Sequence, residues 1–446
     1  MIKKTKPLTI QIMILAGPAI LEMLMHTLVW TADTAMVGRL TAADIAAVNL
    51  GAHMMFTTAM IFGALGTGAT AMVARHIGAG EEKEASRLAS QAISIGILIS
   101  IFVGSIGMLC SDWIFQFLVE DPQVVAIGSM YLRIVLIGVF FLIPQMIGNA
   151  IIRGSGNTFV PFLSAVFANV FNIVADYVLI FGKLGFPAMG SRGAAIATGT
   201  AQILGAMVTF YFLFSQKGKI KLRLKEMHVF EIEKLKKLIR LSLPAGMEVF
   251  MNEGSRLVSS FWIAQLGTIA YAAHSLSVAA ESVSFMPGYG FAVAAATMVG
   301  QHMGAGNLDM ALKSTKRSIL LAAIFMGCVG VLFFVFPFQI MRLFSNQADA
   351  VEVAAECLRI GAFEQIPIAI AMVTSGALKG AGDTKGPFAV SLITNLCIRL
   401  PLIFLAVFIF RFPVTYIWWI SVTQYVVEAT LMTIRFQKGH WKTIKL

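Results

Sequence analysis

From Thr9 to Gly38 the chain carries an apolar run that, at about 1.5 Å of helix rise per residue, can cross a hydrocarbon core of about 30 Å. Comparable runs, separated by Gly, Pro and charged positions, are centred near residues 24, 60, 98, 138, 170, 203, 250, 286, 325, 364, 397 and 424. Their length and continuity predict about twelve membrane-spanning helices, because the strands of a barrel read as segments of about ten residues with alternating character. The expected fold class is an all-α integral membrane protein.

The pattern is written twice. Leu15 to Pro18 and Leu241 to Pro244 both read Leu-x-x-Pro, which sets a shift of 226 (244 − 18). The same shift carries Glu22 onto Glu248, His76 onto His302 and Gly78-Ala79-Gly80 onto Gly304-Ala305-Gly306. It also carries Gly154, Gly156, Thr158, Pro161, Phe162 and Asn169 onto Gly380, Gly382, Thr384, Pro387, Phe388 and Asn395, and it needs no gap. With six spans in each half, the halves share one orientation and are related about the membrane normal, the parallel-repeat arrangement found in alternating-access carriers. The expected organisation is an N-lobe over 1–215, a basic linker over 216–237 and a C-lobe over 238–446.

Composition agrees with a membrane protein: 58% hydrophobic residues, 13% charged residues and a mean hydropathy of +0.81 leave too little polar surface for a soluble globule of 446 residues. The net charge of +11 is informative through its placement. With the N-terminus inside, the cytoplasmic segments hold most of the Lys and Arg, whereas the outer segments hold only Arg39, Lys183, Arg192, Arg342 and Arg411. Both termini are therefore expected on the cytoplasmic side of the cell inner membrane, and no nucleic-acid partner is expected. The start of the chain leads into the first span without a small-residue cleavage site, so no removable signal peptide is expected. Cys110, Cys328, Cys357 and Cys397 have no metal-ligand spacing, and no His-x-x-x-His pair occurs. An enzyme or a bound cofactor is not expected.

Against this background Asp33 stands out, since a carboxylate inside a span costs about 2.5 to 3.5 kcal/mol on insertion scales and is a functional candidate. A place near the outer end of the span, with the side chain reaching headgroups, is the bland alternative. The repeat supplies a control: 33 + 226 is 259, which is Ser259. In the fifth span Asn172 and Asp176 are four residues apart, hence on one helix face, and their counterparts by subtraction are Ile398 and Leu402. The first half thus carries an unmatched polar set that can hold a proton or, with several oxygens, a sodium ion at Asp33, Asn172 and Asp176. Two acids in proximity titrate as a unit. Thr198 adds a further oxygen to the same half. Glu22 and Glu248 occupy equivalent sites, so they are read as structural or gating residues. The paired turns starting at Arg153 and Lys379 lack the Gly-Lys-Ser/Thr ending of a phosphate loop and are read as tight turns.

The second half has its own unmatched set: Glu253, Arg256, Glu281, Glu364, Arg399 and Glu428. Two accounts stay open here. The arginines are neutralised by two of the glutamates in buried pairs, or Glu253, Glu281, Glu364 and Arg399 line a C-lobe cavity for organic cations.

At Val29 to Leu40, which contains Trp30, Asp33, Gly38 and Arg39, at the Gly-Ala-Gly turns ending at Gly80 and Gly306, and at the paired Gly-x-Gly-Asn/Asp-Thr turns, the chain resembles the multidrug and toxic compound extrusion family, MATE. The resemblance covers essentially the whole chain. It implies two six-helix lobes forming a V, and export of cationic or amphipathic drugs against an inward proton or sodium gradient. It further implies that Asp33, Asn172 and Asp176 form the cation-coupling site with Asn149 and Thr198 as additional members, and that Pro18 is a hinge in the first helix. NorM-like members often carry an aspartate on span ten shortly after a glutamine. Here Gln365 to Ile368 holds no acid, which favours an N-lobe mechanism with Glu253 as a remnant of the other site.

The expected function is therefore a monomeric, cation-coupled antiporter. The alternatives are a flippase for a lipid-linked precursor of the same superfamily, which would favour a basic cavity, and an ion channel, which would need a continuous polar pore.

Overall fold

In hydrocarbon a chain segment satisfies its backbone N–H and C=O groups only from within itself, so apolar runs of this length fold as helices. A computed structural model describes residues 7–215, 218–227 and 231–444. The basic tail at 1–6, linker positions 216, 217 and 228–230, and residues 445–446 lie outside the described residues. Among the described residues there is no strand, and twelve long helical passes follow one another. In the first half these are α1 (Leu8–Val37), α2 (Ala42–Ala79), α3 (Glu82–Leu118), α4 (Pro122–Gly154), α5 (Phe159–Phe181) and α6 (Ser191–Phe214). In the second they are α7 (Ile232–Ala264), α8 (Thr268–Gly304), α9 (Leu308–Val335), α10 (Ala348–Ala381), α11 (Lys385–Ile409) and α12 (Val414–Lys438). Each expected span centre falls within its own pass. Ten are long and apolar enough to cross a membrane. The other two, α7 and α12, carry the in-span charges Glu248, Glu253, Arg256 and Glu428.

Several hydroxyls inside the passes are satisfied within their own helix. In α1 the hydroxyls of Thr31 and Thr34 donate to the carbonyls of Thr27 and Trp30 at 2.9 and 2.8 Å, so neither needs water or a partner helix. Pro18 lies inside α1 and Pro244 inside α7, the two openings of the repeat. Two passes change helix type midway. A 3₁₀ turn, Ala362–Glu364, interrupts α10, and π-helical segments, Thr394–Arg399 and Leu405–Ile409, interrupt α11.

The repeated turns have a common construction. Gly156 and Gly382 both adopt a left-handed backbone, φ 91° and 94°, and so end the preceding helix. The next residue starts the following one: Asn157 Oδ1 accepts from Phe159 N at 3.0 Å, and Asp383 Oδ1 accepts from Gly386 N at 3.0 Å. These are helix caps, as the tight-turn reading expected. Just before each turn, Gly154 and Gly380 let two helices touch backbone to backbone. A Cβ there would meet Thr70 O at 2.8 Å and Ala296 O at 2.1 Å. The glycines are 226 apart, and so are the carbonyls they meet.

The chain divides into two compact units, one of residues 21–242 and one of residues 1–20 with 243–446. In the first, a core forms around Val37, Val48, Tyr131, Val135, Ile180 and Ala194. Part of the linker lies on α3 of this unit, where Lys221 N donates to Ser86 Oγ at 3.1 Å and Lys234 Nζ pairs with Glu84 at 2.6 Å. In the second, the first turns of α1 bury Ile12, Leu15 and Ala16 in a core with Phe291, Met298 and Ala377, and Arg317 Nε donates to Thr9 Oγ1 at 2.9 Å. Helix α1 thus gives its first turns to one unit and its remainder, with Asp33, to the other. Large apolar side chains such as Leu109 and Phe261 point outward, as a lipid-facing surface requires.

Candidate functional site

Four helices of the unit 21–242 bring oxygen atoms together. Asp33 comes from the end of α1 and Asp176 from the end of α5, and the two carboxyl groups are within hydrogen-bonding reach of each other. Asp176 is fully buried, and Asn172, one turn earlier on the same face, is 5% exposed. Tyr131, near the start of α4, is also buried, and its hydroxyl meets the side chain of Thr198 near the start of α6 while lying close to both acids. Its ring packs against α2, where Gly51 leaves room: a Cβ at 51 would meet Tyr131 Cδ1 at 2.7 Å.

The charge of this cluster is one-sided. Among the described residues no donor meets Asp33 Oδ1 or either carboxyl oxygen of Asp176, and no acceptor meets Asn172 Nδ2. The charged group bearing on each acid is the other acid, and among the described residues no Lys or Arg bears on either. Buried carboxyls without a built-in counter-charge take positive charge from outside the protein, as a proton shared between them or as a hard cation held by several oxygens. The structure therefore gathers Asp33, Asn172, Asp176 and Thr198.

It does not bring Asn149 to them. Asn149 Oδ1 accepts from Thr209 Oγ1 at 2.9 Å, in a separate buried network with Ser164 and Gln145. Asn149 and Tyr131 are 18 residues apart on α4, about 27 Å of helix axis. Pro18 sits on α1 well before the acid. Tyr131 was not singled out from the sequence, although the repeat carried the signal: its counterpart, 131 + 226, is Cys357.

In the unit that contains 243–446, three of the four expected cavity residues come together. Glu281 of α8 and Glu364 of α10 are within hydrogen-bonding reach of one another, and Arg399 of α11 bears on both. Arg399 makes no direct ion pair among the described residues. Its Nε donates to Ser259 Oγ at 3.3 Å and its Nη1 to Gln424 Oε1 at 3.2 Å. Glu253 bears instead on Arg256. Direct neutralisation of the two arginines by two glutamates is therefore not what the structure shows; the charges balance through space.

Subtraction also misplaces part of α11. Its counterpart for Asp176 is Leu402, yet Leu402 is 37% exposed while Ile403 is fully buried. The π-helical turn at Thr394–Arg399 takes up one extra residue, so every later side chain moves one position along the interior face. By facing, Arg399 corresponds to Asn172 and Ile403 to Asp176.

Glu22 and Glu248 are ion-paired in equivalent ways, Glu22 with Arg153 at 3.0 Å and Glu248 with Lys379 at 2.8 Å. All four positions obey the shift of 226, and the two bases are recognisable from the sequence by that rule alone.

Comparison with known proteins shows the same duplication. The profile of the family described as MatE matches residues 18–178 and again 244–405. The chain is similar to the "Probable multidrug resistance protein NorM" of Thermotoga maritima, 30% identical over 428 residues, covering 96% of this chain and 92% of that protein. It is also similar to the protein of the same description in Shewanella oneidensis, 26% identical over 387 residues, covering 85% of this chain and 83% of that one. Among solved structures, "Crystal structure of MATE in complex with MaL6" matches with a TM-score of 0.92 at 22% identity over 98% of both chains, a likeness of fold.

Proposed function

The chain belongs to the MatE family, and we propose that it is a membrane antiporter that exports organic cations and amphipathic drugs in exchange for inward proton or sodium. The observation that carries the coupling half of this reading is the facing pair of half-buried Asp33 and fully buried Asp176, with no Lys or Arg beside it among the described residues. The names of the relatives, multidrug resistance proteins, support the drug half.

The ion enters from outside and binds between Asp33 and Asp176, with Asn172, Thr198 and Tyr131 supplying further polar atoms. Binding removes net negative charge from the end of α1. This favours an arrangement of α1 bent at Pro18, in which drug is released outward. Drug binding from inside favours the other arrangement and expels the ion. Each ligand shifts the equilibrium only by its difference in affinity for the two arrangements, and that difference is the coupling energy. The protein acts as a monomer in the cell inner membrane with both termini cytoplasmic, consistent with the basic residues on its inner segments.

The test is Asp33→Asn. The variant is expected to insert and fold as the wild type and to lose drug export from cells loaded with a fluorescent organic cation. Wild-type export by that variant sinks the coupling assignment.

A further inference from the structure

In the unit 21–242 the polar cluster lacks an internal cation; in the other unit the equivalent place is filled from within. Once the extra residue in α11 is counted, Ser259 stands where Asp33 stands, Arg399 where Asn172 stands and Ile403 where Asp176 stands (259 − 226 is 33; 399 − 227 is 172; 403 − 227 is 176). The guanidinium of Arg399 reaches the first of these positions, donating to Ser259 Oγ at 3.3 Å, and also donates to Gln424 Oε1 of α12 at 3.2 Å. Its charge also bears on Glu281 and Glu364, whose carboxyls face each other and whose counterparts in the first half are the uncharged Met55 and Gly138. Around them stand Arg256, which bears on Glu281; Glu428, hydrogen-bonded to Gln424; and His274 and Tyr425, both in the field of the two arginines.

We propose that Arg399 is a tethered cation that takes, in the second lobe, the place the exchangeable ion takes in the first, so that the chain carries a single exchangeable ion site. The proposal rests on the reading of Asp33 and Asp176 as that site. A guanidinium keeps its charge at any physiological pH and cannot leave the protein. Two facing carboxyls that share one proton carry one negative charge, which one guanidinium balances. The second lobe then has the same charge at every stage of transport, and Arg399 sets the ratio of ions to drug.

The experiment counts cations bound by the purified full-length chain in detergent. It uses radiolabelled sodium and, in weak buffer, proton release on adding tetraphenylphosphonium. Wild type is expected to show one site per chain, and Asp33→Asn none. Arg399→Gln is expected to add one site. Asp33→Asn with Arg399→Gln is expected to keep that site, and Glu364→Gln to remove it again. Arg399→Lys is expected to restore the wild-type count. An unchanged count in Arg399→Gln overturns the proposal. So does a site in Asp33→Asn that disappears with Glu364→Gln while Arg399 is present. A site that survives Asp33→Asn and Glu364→Gln together overturns the coupling reading instead. If Arg399→Gln alone does not fold, adding Glu364→Gln removes charge and counter-charge together and is expected to restore a monodisperse protein; failure to do so contradicts the counter-charge role.

Discussion

Asp176 is the more buried member of the acid pair, and on the proposed reading its neighbours decide how tightly an ion is held. Tyr131 is the neighbour with the most specific contact, a hydroxyl on Thr198 beside both carboxyls. Tyr131→Phe keeps the ring against Gly51 and removes that hydrogen bond, a contribution of about 0.5–1.5 kcal/mol, or up to about tenfold in affinity. The expected outcome is a several-fold weaker apparent affinity for the coupling ion with an unchanged maximal export rate, measured by titrating the ion in transport assays. An unmoved ion titration removes Tyr131 from the site. Asp176→Asn, by contrast, removes half of the carboxyl pair and is expected to abolish ion-driven export; export at the wild-type rate contradicts the pairing. Asp33, Asn172 and Asp176 were legible in the sequence because the repeat supplies a control position for each. Tyr131 was missed although it obeys the same rule, because a tyrosine in an apolar helix looks ordinary until its counterpart, Cys357, is set beside it. Asn149 entered only through resemblance, and the length of α4 separates it from the acids.

Among elements, the repeat is most literal where helices touch backbone to backbone. Gly154 and Gly380 each meet a carbonyl of the helix they cross, so Gly380→Ala forces the helices apart, at about 1–3 kcal/mol for overpacking. Gly17→Ala, where nothing lies within 4 Å, is the control. The expected result is a melting temperature in detergent lowered by Gly380→Ala and unmoved by Gly17→Ala; equal effects contradict the close approach. Hydropathy located all twelve passes, because a span needs only length and apolar content. It was silent about the π-helical turn in α11, since one extra residue leaves the composition of a span unchanged. It does change which side chain faces inward, and that is why the apolar counterparts Ile398 and Leu402 gave way to Arg399 and Ile403.

At the scale of the molecule, two halves that share an architecture differ in charge. Each repeats the Glu22–Arg153 type of ion pair, the capped turns and the glycine crossings. Among the described residues, the first gathers Asp33 and Asp176 with no Lys or Arg bearing on them, and the second places Arg399 beside Glu281 and Glu364. On the proposed reading, a carrier built this way responds to an ion through one lobe. The sequence showed this asymmetry as unmatched polar positions, but it could not show that Arg399 reaches Ser259, the counterpart of Asp33, since that contact runs between helices far apart in the chain.

The central claim is that ion binding at Asp33 drives drug movement. Its most direct test is drug transport by wild type and Asp33→Asn in proteoliposomes under an imposed proton gradient and, separately, an imposed sodium gradient. The account predicts that one of the two gradients drives tetraphenylphosphonium against its own gradient in the wild type and that neither does so in Asp33→Asn. Gradient-driven transport by Asp33→Asn at the wild-type rate would contradict it.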